Sequence, residues 1–172
     1  MKKLMFGMCA ASALMLAACG GSEDVSETDE PIVESSLSAE ESAEMEAIIS
    51  ARQDGFKTFG RNMRAINQSL QSGSPDAAVI AEAAATIHET SMGMETWFPE
   101  GSGPESGFET EALPAIWENP EGFAEAVMNF QTAAAELDTI AASGDMEAFQ
   151  TQLRATGGTC GACHDDFRVD DD

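Results

Sequence analysis

The chain has 172 residues, with 31 Asp+Glu against 8 Lys+Arg and a formal net charge of −23 at pH 7. Nucleic acid and anionic lipid are poor partners for such a surface, because both would be repelled; a basic partner or a saline habitat suits it better. Four cysteines are too few for a disulfide scaffold, so stability must come from a packed core.

At the N-terminus, Lys2 and Lys3 precede an apolar run from Leu4 to Leu16. It is too short to span a bilayer, and residues 1–18 read as an export signal. Leu16-Ala17-Ala18-Cys19 has the form of a bacterial lipobox, which makes Cys19 the lipidated first residue of the mature chain. The alternative is an ordinary cleaved signal with Cys19 incidental. On the lipobox reading the protein sits in the bacterial periplasm, anchored to a membrane by Cys19 alone. Residues 19–37 are acidic and poor in large apolar groups, so they cannot bury enough surface to offset their ordering entropy. They are predicted to be a disordered tether, and residues 38–172 to be one domain.

Ser38 with Glu41 three residues later forms a capping box. From there Met45, Ile49, Arg52, Phe56, Phe59, Met63, Ile66 and Leu70 recur at spacings of mostly three and four, the seam of a bundle helix. Ser74 as N-cap and Pro75 as first helical residue are expected to start a second, alanine-rich helix to about residue 93. Its stripe is Ile80, Ala84, Ile87 and Ser91. Residues 97–122 are rich in proline and glycine, yet Trp97, Phe98, Leu113, Ile116 and Trp117 anchor them; a long packed crossover is predicted. Asn119-Pro120 opens the third helix, with Phe123, Val127, Phe130, Ala134 and Leu137 as its stripe. After Ser143-Gly144-Asp145 a fourth helix aligns Met146, Phe149, Leu153, Cys160, His164 and Phe167. No segment reads as a strand. The expected fold is all-α: an antiparallel four-helix bundle with one long crossover between helices two and three.

Cys160-Gly161-Ala162-Cys163-His164 is C-x-x-C-H, the attachment pattern of c-type haem. At 100° per residue the two cysteines and the histidine share one helical face about 100° wide. Two thioethers along that face hold a porphyrin edge, and the histidine offers an imidazole to the iron. Small Gly161 and Ala162 let a flat macrocycle approach the backbone. A thioredoxin-type pair would need a βαβ context. A zinc site would need four ligands, and His88 is the one candidate left for the fourth. A chance match is the third alternative. Arg52 stands between Ile49 and Phe56 on the apolar seam, where a bare guanidinium is costly. An anion beside it, naturally a haem propionate, is expected; snorkelling to solvent is the alternative. Lys57, Arg61 and Arg64 read as solvated charges or as a positive patch on an acidic protein.

Around this motif the sequence resembles the class II cytochromes c, that is cytochrome c' and its low-spin relatives, over about residues 45–172. The resemblance rests on the C-terminal motif with Phe167-Arg168 after it. It also rests on Arg52-Gln53, Gly60-Arg61-Asn62-Met63, Trp97-Phe98-Pro99-Glu100-Gly101-Ser102 and Pro114-Ala115-Ile116-Trp117. The acidic, lipoprotein-like N-terminus departs from the usual pattern. The resemblance implies one covalent haem c held by Cys160 and Cys163, His164 as iron ligand, Arg52 towards a propionate and Arg168 beside the imidazole. It implies further that Phe56, four residues after Arg52, faces the distal side of the iron. Low-spin members carry Met there, so Phe56 implies a five-coordinate, high-spin iron. Met63, two turns on, is the one nearby residue that could instead ligate. The implied protein is no enzyme but an electron carrier or a binder of nitric oxide or carbon monoxide, with a redox partner protein and a homodimeric state expected. A lipid-tethered helical adaptor without haem is the remaining alternative.

Overall fold

The computed structural model describes residues 38–169, which fall in one compact unit. The export signal, Cys19 and the acidic tether lie outside the described residues. Four long helices carry the fold: α1 (Ala39–Gln71), α2 (Ala77–Ser91), α4 (Pro120–Ser143) and α5 (Met146–Phe167), with a single turn, α3 (Ala115–Glu118), inside the crossover. The four-helix bundle is the predicted one. Among the described residues there is no strand, only an isolated antiparallel bridge between Ala112 and Arg168.

The helix ends follow side-chain chemistry. Ser38 and Glu41 close the capping box, each side chain bonded to the other's backbone. The second helix starts later than expected, because Asp76 and not Ser74 is its cap. The Asp76 carboxylate accepts from the N–H groups of Ala78 and Val79, and Pro75 stays outside. Ser69, buried at the end of α1, fixes this turn by accepting from the Asp76 N–H at 2.8 Å. A carboxylate serving two orphan donors outcompetes a serine whose own backbone is engaged elsewhere. Asn119 caps α4, with Pro120 as its first residue, and Asp145 caps α5 after Gly144, whose φ of 78° is left-handed.

Helix α1 packs on α2, α2 on α4 and α4 on α5. Small side chains make these contacts close: Ala83, Ala84 and Ala134 are buried between Ile66, Ile80, Ile87 and Leu137. Polar bonds pin the same seams. Gln131 Nε2 donates to the Ser91 carbonyl at 2.9 Å, and Thr156, wholly buried, donates to the Ala133 carbonyl at 3.2 Å. His88 belongs here too: its Nδ1 meets Asp138 at 3.1 Å, tying α2 to α4. The bundle's fourth side, between α1 and α5, is the loose one, and the crossover fills part of it. There Leu113 N–H donates to the Phe167 carbonyl at 3.0 Å and Val169 N–H to the Glu111 carbonyl at 2.8 Å. These bonds fasten the crossover to the end of α5.

The anchors of the crossover work as expected, and one of them dictates a glycine. A Cβ at Gly55 would lie 2.2 Å from the Trp97 ring, so the indole of the crossover rests directly on the α1 backbone. Gly55→Ala gains up to ~1 kcal/mol of helix propensity but overpacks a rigid ring at a cost of ~1–3 kcal/mol. Thermal unfolding should therefore fall by several degrees. Gly158→Ala, where nothing lies within 4 Å, should instead raise the midpoint. A stabilised Gly55→Ala protein would show that the ring does not sit there.

Candidate functional site

One large cavity, of about 1410 Å³, opens between α1, α5 and the crossover. It exceeds the ~300–1,000 Å³ usual for small-molecule sites. The sequence-predicted residues converge on it. Cys160, Cys163 and His164 line it from α5, Arg52, Phe56 and Met63 from α1, and Arg168 from beyond the α5 terminus. An aromatic chain forms much of its apolar surroundings. Phe130 meets Phe59 with centroids 5.0 Å apart, Phe56 meets Phe98 at 6.2 Å, Phe98 meets Phe123 at 4.8 Å, and Phe123 meets Phe167 at 5.3 Å. Edge-to-face pairing on this scale is favourable beyond the area it buries.

The motif is continuous helix. Cys160 packs against the main core and its thiol meets the Thr156 carbonyl at 3.4 Å; Cys163 packs against the smaller cluster of Ala112, Ile116 and Phe167. Burial raises the pKa of both thiols. That of Cys163 is pushed up to about 11, with the neighbouring Cys160 and Asp166 adding to the effect of burial. Among the described residues no strand flanks the motif, so the βαβ context of a disulfide-exchange pair is missing. Burial, helped by Arg168, lowers the His164 pKa, which keeps the imidazole neutral and its lone pair available. Among the described residues no group of three or more His, Cys, Asp or Glu is gathered as a metal site. With His88 turned to Asp138, the zinc alternative has no ligand set.

These residues fit a haem. A single imidazole cannot hold iron unless another ligand supplies the remaining donors, as a porphyrin does. Beside the motif, a Cβ at Gly157 or Gly161 would meet nothing within 4 Å, which leaves room for a macrocycle edge.

Arg52 is the buried charge of the site. It is only 3% exposed, so it does not snorkel. No carboxylate seats it either. Nη1 donates to the Trp97 carbonyl at 3.3 Å and to Ser102 Oγ at 3.0 Å; Nη2 donates to the Ser102 carbonyl at 2.9 Å and to Thr110 Oγ1 at 2.8 Å. Its guanidinium carbon lies 4.5 Å from the Phe98 ring centre. Four uncharged oxygens and an aromatic face are the partners this charge has within the chain. Burial lowers its pKa, but from so high a value that the charge stays.

Three spatial relations could not be read from the sequence. Ser102 and Thr110 sit in an aperiodic segment, and nothing marked them as partners of Arg52. Glu111 reaches Arg168 Nε at 2.7 Å across 57 residues. Lys57, Arg61 and Arg64, read as solvated charges or a patch, all border the cavity.

Comparison with known proteins accords with this geometry. The family model described as Cytochrome C' matches residues 47–168. A cytochrome c' of Rhodospirillum rubrum is 36% identical over 136 residues, covering 76% of this chain and 87% of that protein. A cytochrome c-554 of Cereibacter sphaeroides is 30% identical over 135 residues, covering 77% and 88%. Among solved structures, cytochrome c prime from Shewanella frigidimarina has a TM-score of 0.67 at 30% identity, covering 77% of this chain and 100% of that one. A cytochrome c' described for its unusual ligand-controlled dimer dissociation has a TM-score of 0.68 at 29% identity, covering 78% and 99%. The chain belongs to the cytochrome c' family, c-type haem proteins with covalently attached haem c.

Proposed function

We propose that the cavity holds one haem, bound through Cys160 and Cys163, with His164 as the proximal ligand and Phe56 over the distal face. The observation that carries this reading is one cavity lined both by the motif on α5 and by Arg52 and Phe56 on α1. Bound there, haem iron supplies a one-electron couple and, when five-coordinate, an open position for a diatomic gas. His164 is held neutral for ligation. Phe56 contributes no donor atom and, packed against Phe59, Trp97 and Phe98, limits the space above the iron. An apolar lid gives no hydrogen bond to bound dioxygen, which favours nitric oxide and carbon monoxide. Arg52 lines the cavity, which supports a role towards a propionate there in addition to its neutral partners. Arg168, bonded to Glu111, lies beside the imidazole and supports its neutral form. The physiological role is electron transfer, gas binding or both, in the periplasm. The lipobox-like Leu16-Ala17-Ala18-Cys19 supports a lipid anchor, and no helix among the described residues is long and apolar enough to cross a membrane. The relative with ligand-controlled dimer dissociation supports a homodimer that responds to ligand.

One observation favours a second reading. Met63 lines the same cavity, half-buried against the main core, and a thioether there would make a low-spin electron carrier.

Three outcomes test these proposals. Replacing Cys160 and Cys163 by Ala should yield a protein whose haem is fully extracted by acid acetone, and covalent haem surviving in that variant would sink the attachment. The resting ferric wild type should give a high-spin spectrum, and Phe56→Met should shift it towards a six-coordinate low-spin form. A wild-type spectrum with a sulfur-to-iron charge-transfer band, lost in Met63→Leu, would establish the second reading instead. Finally, the wild-type chain should fractionate with membranes and Cys19→Ser should not; recovery of unlipidated wild type in the soluble fraction would refute the anchor.

A further inference from the structure

The chain's charge runs one way, yet its exposed cations gather in one place. Of the six basic residues after Lys3, Arg52 is buried, Arg168 is bonded to Glu111, and Arg154 lies on the outer face of α5. The other three, Lys57, Arg61 and Arg64, follow one another at i, i+4 and i+7 and form one stripe of α1. All three are exposed, and all three border the cavity mouth. Like charges at this spacing repel by a few tenths of a kcal/mol per pair. Little in the structure offsets that repulsion. Lys57 meets Asp54 at 3.2 Å, but both side chains are more than 60% exposed, where such a pair contributes little. Arg61 donates to the Thr58 hydroxyl at 2.7 Å, and neither Arg61 nor Arg64 pairs with a carboxylate among the described residues. In a chain with 31 acidic residues, three cations kept together at the cavity rim, with one exposed ion pair among them, are placed for something that is not in the chain. Across the mouth the crossover presents Glu109 and Glu111, and Glu46 lines the cavity from the start of α1, so the basic part of the rim is the Lys57–Arg61–Arg64 stretch.

We propose that the Lys57–Arg61–Arg64 stripe is the docking face for an acidic redox protein, which exchanges an electron with the haem through the α1 side of the cavity mouth. The inference rests on the haem reading above. It reverses locally the partner charge that the composition favours. At long range the net charge of −23 repels an acidic partner. Within a Debye length, ~10 Å at 0.1 M salt, only the local stripe acts, and it admits one orientation. An anionic bilayer would be attracted to the same stripe but accepts no electron there.

The test compares two triple variants of the mature holoprotein that change net charge equally. In Lys57→Gln/Arg61→Gln/Arg64→Gln the three charges leave the stripe. In Met128→Glu/Thr132→Glu/Thr139→Glu three charges are added to the exposed face of α4. An acidic flavodoxin in its fully reduced state is the protein probe: its flavin gives up one electron, ferric iron becomes ferrous, and no proton is transferred. At ~0.1 M salt, where the net charge is screened, the α1 variant should react about tenfold more slowly than wild type, and the α4 variant no more than about twofold more slowly. Both should converge on wild type near ~0.5 M salt. Equal slowing of the two variants would mean that net charge alone sets the rate and would overturn the proposal. So would an unchanged flavodoxin rate together with loss of binding to phosphatidylglycerol vesicles, which would assign the stripe to a lipid surface. The haem spectrum of each variant keeps the two readings apart. Wild type without covalent haem sinks the site itself, whereas intact haem with no α1 effect sinks only the docking face.

Discussion

The haem side of this bundle depends on one guanidinium shut away from water. Arg52 cannot be solvated at 3% exposure, and a buried charge without partners would cost several kcal/mol. Its partners come from the crossover: the Trp97 and Ser102 carbonyls, two hydroxyls and the Phe98 ring. Hydrogen bonds to a charged group contribute ~1.5–3 kcal/mol each, about twice a neutral bond. The planar fork can engage four oxygens while it stacks on a ring, which a lysine ammonium cannot do. The charge therefore gathers an otherwise aperiodic segment around a fixed point on α1.

Once that point is fixed, the rest of the crossover has few choices. Trp97 lies on Gly55, where only a missing side chain leaves room. Phe98 stands between Arg52 and Phe123 and continues the aromatic chain to Phe167. Thr110, held by Arg52, is followed at once by Glu111 and Leu113, which bond to the end of α5. The crossover thus links α1 to the turn after the C-x-x-C-H motif, on the side where the two helices themselves are loosely joined. The cavity is what remains between those ties. Its position follows from how a buried charge is satisfied.

This explains what was legible in the sequence and what was not. The helices were legible because burial imposes a period: Ile49, Phe59 and Ile66, or Val127, Phe130, Ala134 and Leu137, appear in the core as their spacing requires. The motif was legible because covalent attachment needs fixed residues at fixed spacing. The start of α2 was misplaced, since Ser74-Pro75 and Asp76 both carry cap signals and the deciding partner, Ser69, belongs to the previous helix. Arg52 was rightly singled out as costly, but its partners lie 45 to 58 residues away in a segment without periodicity. A buried charge announces a demand; it does not name the supplier. The same holds for Arg168 and Glu111, whose pairing depends on how the crossover meets the end of α5.

The proposed distal side of the iron would have the same origin. Phe56 and Met63 are seven residues apart, almost two full turns, so they share a face of α1 and lie ~10 Å apart along its axis. Both line the cavity. A haem held through Cys160, Cys163 and His164, as proposed, would present its iron at one height only, and the register of α1 against α5 would decide which side chain stands opposite. Direct packing between those two helices is too sparse to set that register firmly. The firm ties are Arg52 to the crossover and the crossover to Phe167 and Val169. Phe56 lies one turn from Arg52, where the clamp is stiffest, and its ring is further fixed by Phe59, Trp97 and Phe98. Met63 lies three turns from the clamp, its side chain is unbranched and adaptable, and it packs beside the main core. The position nearest the clamp is the one whose geometry the fold determines, and it carries Phe56, whose ring offers no donor atom.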